Sequence, residues 1–130
     1  MTDTLTITKT AGRVTIFHLA GRLDAQTREP LLNAARQAHK AGTKFLLFDL
    51  QNLEMITSAG LGALHNIYKL FTSHDEAEAW EREHQGEIYK SPYFKLAGAS
   101  SNVFYVLSIA GFLRNIPIYP TLDEALKSFS

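Results

Sequence analysis

The sequence predicts an α/β fold: a mixed, mainly parallel sheet with an N-terminal β-hairpin and flanking helices, in the order β-β-α-β-α-β-α-β-α. Three observations carry this. The run Lys44-Phe45-Leu46-Leu47-Phe48-Asp49-Leu50 is almost unbroken in apolar character after its first residue, the pattern of a strand covered on both faces and hence central and parallel. Further short apolar runs alternate with stretches of helical period, which selects parallel strands joined by crossovers. Two β-rich runs, 5–8 and 13–19, are separated by the turn signal Ala11-Gly12, which pairs them as a hairpin.

The elements follow in order. Gly21-Arg22-Leu23-Asp24 closes the second strand, and Asp24 suits the N-cap of the first helix, where Pro30 is tolerated in the first turn. Leu31, Ala34, Ala35 and Ala38 recur at helical spacing up to Gly42, a natural residue just past a helix end. After the central strand, a loop over 51–57 leads to a helix over 58–71 with Leu61, Leu64, Ile67, Tyr68 and Phe71 inward. A strand over 94–98 precedes a helix capped by Asn102, carrying Val103, Val106, Leu107 and Ala110 and stopped by Gly111. Phe112 and Leu113 read as core closure or, less simply, as exposed contacts. A strand over 115–119 contains Pro117 and so belongs at an edge. Thr121-Leu122-Asp123-Glu124 is a capping box for the last helix, with Ala125, Leu126 and Phe129 inward.

At 130 residues, 45 % apolar and 20 % charged, the chain has ordinary globular composition and can bury about two-thirds of its unfolded surface without a disulfide or metal. Thirteen Lys and Arg offset thirteen Asp and Glu, so neither general nucleic-acid affinity nor a polybasic membrane patch is expected. The absence of cysteine excludes thiol catalysis and thiolate metal sites. Residues 1–4 lack the features of a signal peptide, and no apolar run nears the roughly 20 residues of a membrane span. The expectation is one cytoplasmic domain over 1–130, not inserted in a membrane.

Residues 73–92 break the rhythm, being longer than usual for a helix-to-strand connection. Asp75, Glu76, Glu78, Glu81, Glu83 and Glu87 face only Arg82 and Lys90. An extra helix or an extension of the preceding one fits, serving as a solvated acidic face or as a partner-docking element. Trp80 discriminates: buried on the domain it is a staple, exposed it is an interface anchor.

Chemistry in open α/β sheets collects beyond the carboxyl ends of strands, and here that is Met55-Ile56-Thr57-Ser58-Ala59-Gly60-Leu61-Gly62. Ser58 falls in the first helical turn, near free backbone N–H groups; the bland reading makes Ser58 or Thr57 a helix cap. Gly60 and Gly62 each disfavour a helix by roughly 1 kcal/mol relative to alanine, which implies close approach by a neighbouring strand or by a partner. Enzyme readings fail. The hydrolase elbow G-x-S-x-G lacks a glycine at Ile56. His65, about 10 Å further along the helix, is too far to serve Ser58 as a base, and only a chance of folding would bring His18 or His39 there. A dinucleotide fingerprint fails at His65, and no histidine pair has the i, i+4 metal spacing. No catalytic residue, metal or cofactor is expected.

The segment Phe48-Asp49-Leu50 with Met55-Ile56-Thr57-Ser58-Ala59-Gly60-Leu61-Gly62-Ala63-Leu64 resembles the central motif of the STAS domain (sulfate transporter and anti-sigma factor antagonist). Gly21-Arg22-Leu23-Asp24 resembles the family's G-x-L-D signature. Ile109-Ala110-Gly111-Phe112-Leu113, with Thr121-Leu122-Asp123-Glu124-Ala125-Leu126, resembles its C-terminal pattern. The likeness spans residues 5 to 129, interrupted by 75–93.

The resemblance implies a non-enzymatic anti-sigma factor antagonist. Its unphosphorylated form would bind an anti-sigma factor serine kinase of the GHKL type and release the sigma factor; phosphorylation would end binding, and a phosphatase would restore it. The phosphoacceptor maps to Ser58, with Thr57 as secondary acceptor; Thr57 stands where the family commonly has aspartate. Around it, Asp24, Thr57, Ala59, Gly60, Leu61 and Gly62 are candidate partner-binding residues. Asp24 equally caps its own helix, Leu61 equally completes the core, and Asp49 reads as structural near a strand end. The alternatives are a scaffold or regulatory subunit in a sensory assembly or beside a membrane transporter, and a small-ligand sensor, for which no basic phosphate cradle is visible. A dimer is compatible with the sequence.

Overall fold

A computed structural model describes residues 4–111 and 114–130. The antiparallel hairpin of β1 (Leu5–Thr10) and β2 (Val14–Leu23) forms as expected, with Leu5 opposite Gly21 and Thr10 opposite Ile16. Beyond it lie α1 (Arg28–Lys40), β3 (Phe45–Ile56), α2 (Ser58–Phe71), α3 (His74–Glu83), β4 (Phe94–Ala97), α4 (Ser101–Ile109), β5 (Ile118–Tyr119) and α5 (Leu122–Lys127). The sheet order is β1-β2-β3-β4-β5, parallel from β2 onward. Phe112 and Leu113, expected to close the core, lie outside the described residues.

The central strand is covered on both sides. Leu46, Phe48 and Leu50 join Phe17, Leu19 and Phe94 in the large core under α1, α2 and α4. Leu47 turns the other way and packs with Ile16, Ala97, Ala125 and Phe129 under α5. The ring of Phe48 sits between Phe17 (stacked, 5.4 Å) and Phe94 (edge-on, 4.9 Å), a geometry that adds to the burial of three large apolar side chains.

Several boundaries differ from expectation. The loop expected over 51–57 is strand: β3 continues beside β2 until Ile56 stands opposite Leu23. Burial here does not alternate: Leu50, Leu53 and Ile56, three residues apart, are buried while Gln51, Asn52 and Glu54 are exposed, and two shifts of register against β2 bring the three apolar side chains to the core. The register shifts between His18–Asp49 and Ala20–Asn52, a bulge at which Asp49 Oδ1 accepts the Gln51 N–H (3.1 Å). Asp49 is therefore structural, in mid-strand rather than at a strand end.

Asp24 does not cap α1. Its Oδ1 accepts the N–H groups of Gln26 and Thr27 (3.0 and 3.1 Å), closing a turn before the helix, and Thr27 stands at the N-cap position without a side-chain cap bond. Ser100, not Asn102, caps α4, accepting from Val103 N–H. At the edge, β5 holds only Ile118 and Tyr119, while Thr121 caps α5 as expected by accepting from Glu124 N–H.

The acidic segment contains a separate helix, α3, broken from α2 at Thr72 and capped by Ser73. Half-buried Trp80 stacks on His84 (4.0 Å) and meets Tyr89 edge-on (5.7 Å). Tyr89 is buried, and its hydroxyl donates to Glu76 Oε2 (2.6 Å), while Tyr93 donates to Glu76 Oε1 (2.9 Å). Trp80 is thus neither buried on the body of the domain nor fully exposed, and its ring packs within the insertion itself.

Candidate functional site

The carboxyl ends of β2 and β3 converge on the start of α2. Thr57 is its N-cap, extended in backbone, with Oγ1 accepting from Gly60 N–H at 3.5 Å. The Leu61 N–H bonds to the Thr57 carbonyl (2.9 Å), and the Thr57 N–H to the Leu23 carbonyl (3.1 Å), which ties the turn after β2 to the start of α2. With Thr57 supplying the cap, Ser58 is relieved of that role. It is the first helical residue, exposed, and its hydroxyl makes no hydrogen bond with the described residues.

The two glycines differ. A Cβ on Gly60 would stand 2.6 Å from the Leu23 carbonyl oxygen and 2.9 Å from Ile56 Cγ1, so the strand ends require a glycine there. A Cβ on Gly62 would meet nothing within 4 Å. Gly60 is buried and Leu61 is 8 % exposed within the large core. Both residues face the domain interior, and for Leu61 this is the core position that the sequence allowed beside a partner-binding one. Ser58, Ala59 and Gly62 remain accessible, and Asp24 is half-exposed at the end of β2 with Oδ1 engaged by its own turn.

Ser58, Ala59 and Gly62 form one wall of a cleft of about 350 Å³. The other wall is α1, which contributes Arg28, Glu29 and Arg36, with Leu32 between them. The sequence reading missed these arginines. The available signal is the i, i+4, i+8 spacing of Arg28, Leu32 and Arg36, which aligns them on one helix face. Leu32 is buried, so this face is set against the body of the domain.

No histidine stands by Ser58 as a base. His18 lies elsewhere on the sheet, with Nδ1 2.8 Å from Asp49 Oδ2 and Nε2 2.8 Å from Thr10 Oγ1, and His39 packs edge-on against Phe71. Among the described residues no cluster of three His, Asp or Glu is placed to hold a metal ion, and no helix is long and apolar enough to cross a membrane.

The fold is that of a SpoIIAA-like α/β domain. The Bacillus cell fate determinant SpoIIAA in its phosphorylated form superposes with a TM-score of 0.61 at 16 % identity, covering 97 % of this chain and 99 % of that one. An anti-sigma factor antagonist from Mycobacterium paratuberculosis superposes with a TM-score of 0.74 at 21 % identity, covering 96 % and 93 %. A candidate anti-sigma factor antagonist from Thermotoga maritima gives 0.74 at 21 % identity, covering 95 % and 93 %. No curated protein sequence is significantly similar. The chain belongs to the STAS domain family, whose model matches residues 6–75.

Proposed function

We propose that the chain is an anti-sigma factor antagonist that acts by binding, without catalysis, and that Ser58 is its phosphorylation switch. In its unphosphorylated form it binds an anti-sigma factor kinase of the GHKL type in the cytoplasm and frees the sigma factor. The kinase transfers the γ-phosphoryl group of ATP to Ser58 Oγ; the hydroxyl proton leaves with the kinase's base and ADP departs. A phosphatase resets the switch. The observation that carries this reading is the exposed, unbonded Ser58 hydroxyl beside the low-relief surface of Ala59 and Gly62. Thr57 is the poorer acceptor, because it is half-buried and its Oγ1 caps α2.

A phosphoserine adds roughly −1.5 to −2 charge. On the free domain the start of a helix tolerates that charge. In a packed interface it must shed water and oppose any facing carboxylate, and a penalty of about 4 kcal/mol weakens binding roughly a thousandfold. No unfolding is required.

The test is a pull-down from the native host with wild-type, Ser58→Ala and Ser58→Asp baits and identification of what is retained. A GHKL-type kinase held by the first two and lost by Ser58→Asp supports the switch. Equal retention by Ser58→Asp, or capture of a transporter instead, overturns it. The second outcome would favour the scaffold reading, to which Thr57, standing where the family commonly has aspartate, lends some support.

A further inference from the structure

We propose that the α1–α2 cleft is an intramolecular phosphate site, in which Arg28, joined by Arg36, holds the phosphoryl group once Ser58 is phosphorylated. The inference rests on Ser58 as the acceptor and concerns where its phosphate goes.

The cleft has room on its α2 side and two guanidinium groups on its α1 side, opposed there by the single carboxylate of Glu29. Ser58, Ala59 and Gly62 form a wall of short side chains, and the space a Gly62 Cβ would enter is empty. Across it, Arg28 is exposed and makes no hydrogen bond or ion pair with the described residues. Its guanidinium is therefore an uncommitted fork of donors, the geometry that takes two phosphate oxygens at once. Arg36 is only lightly committed. It bonds Asn33 Oδ1 (3.0 Å) and lies 3.8 Å from Glu29 Oε2, with both members of that ion pair more than half exposed. Exposed pairs of this kind contribute little, so Arg36 can turn to a stronger partner.

The charges facing the cleft are Arg28, Glu29 and Arg36, all from α1; the α2 wall adds none. Nearby, Asp24 Oδ1 is held by backbone N–H groups, and Glu54 lines a different hollow beside Ser100 and Asn102. One carboxylate against two guanidinium groups leaves a modest positive excess, too small to gather free anions. A phosphoryl group esterified to the cleft's own wall needs no gathering, since it is held at high effective concentration. The sequence offers no sign of such a cradle near Ser58, because the cations come from a helix more than twenty residues upstream.

The consequence for the switch is specific. A phosphate drawn toward α1 lies across the Ala59–Gly62 surface that a partner must approach, and a phosphatase must first draw it out. The modified state is thereby held by the domain itself.

Phosphoserine placed at position 58 by amber suppression makes the test independent of any kinase. The second ionisation of the phosphate is followed by 31P NMR in the wild-type sequence, in Arg28→Gln and in Arg28→Gln/Arg36→Gln. In the wild type it is expected to fall clearly below the value of about 6 for a free phosphoserine, to rise in the single variant and to rise further in the double variant, where only the start of α2 still favours the dianion. Salt at 1 M should move the wild-type value the same way, a check that needs no variant. Identical titrations in all three proteins, or a wild-type value insensitive to salt, overturn the clamp. A normal titration shift without kinase binding would instead fault the proposed function, and kinase control without the shift would fault only the clamp.

Discussion

Gly60 rides directly on the carbonyl of Leu23, so that a Cβ would stand 2.6 Å from that oxygen, and the same oxygen receives the Thr57 N–H at 3.1 Å. The end of β2 thus serves as the seat on which α2 begins. Gly60→Ala must displace backbone, and overpacking of this kind is expected to lower stability by about 1–3 kcal/mol. Gly62→Ala meets empty space in a helix interior and is expected to raise stability by about 0.5–1 kcal/mol. Urea midpoints of the two variants check this; shifts of the same sign would refute the distinction between the glycines.

Thr57 is the second point of control over the same helix. Removing its cap oxygen in Thr57→Ala is expected to lower stability by about 0.5–1 kcal/mol, at the low end because the bond to Gly60 N–H is long at 3.5 Å. Thr57→Asp keeps a capping oxygen and sets a negative charge at the helix start, so stability should hold or rise by about 0.3–1 kcal/mol. Thermal melts at low salt measure both. An aspartate variant as unstable as the alanine variant would mean that the side chain at 57 does not cap α2.

The start of α2 is legible because everything that makes it is local: a capping hydroxyl, a serine, two glycines and an apolar stripe within a few residues. The bulge at Asp49 is not, since Gln51, Asn52 and Glu54 carry the polarity of a loop, and only pairing with β2 keeps them extended. The two glycines look equivalent in one dimension, and the partner that separates them, Leu23, is more than thirty residues away. The same holds for Arg28 and Arg36. Their spacing marks a helix face, but only the packing of α1 on α2 brings that face to Ser58.

The acidic insertion predicts an alkaline response. Burial, and then the hydrogen bond to Glu76, push the Tyr89 phenol far above its ordinary range; the bond to Glu76, and then burial, raise Tyr93 as well. Because the folded chain keeps these protons while the unfolded chain loses them near pH 10, the stabilisation is complete below that pH. It is lost as pH climbs from there toward the folded-state values. Tyr89→Phe removes a hydrogen bond to a charged group and is expected to cost about 1.5–3 kcal/mol at pH 8. Its loss of stability between pH 9 and 11 should be shallower than the wild type's. Urea denaturation across that range decides it, and parallel curves would remove Tyr89 from the account.

Asp49 tests whether the Phe48-Asp49-Leu50 motif is there for shape or for contact. One carboxylate oxygen holds the Gln51 N–H at the bulge, and the other lies 2.8 Å from His18 Nδ1, in a residue that is itself 8 % exposed. Asp49→Ala strands both partners, and leaving a half-buried donor unpaired is expected to cost about 1–3 kcal/mol. Asp49→Asn can still accept from Gln51 and should lose less. Neither change reaches the cleft beside Ser58, so the phosphate titration at position 58 should match that of the unaltered chain in both. A variant that keeps full stability but shifts that titration would make Asp49 part of the switch and not of its frame.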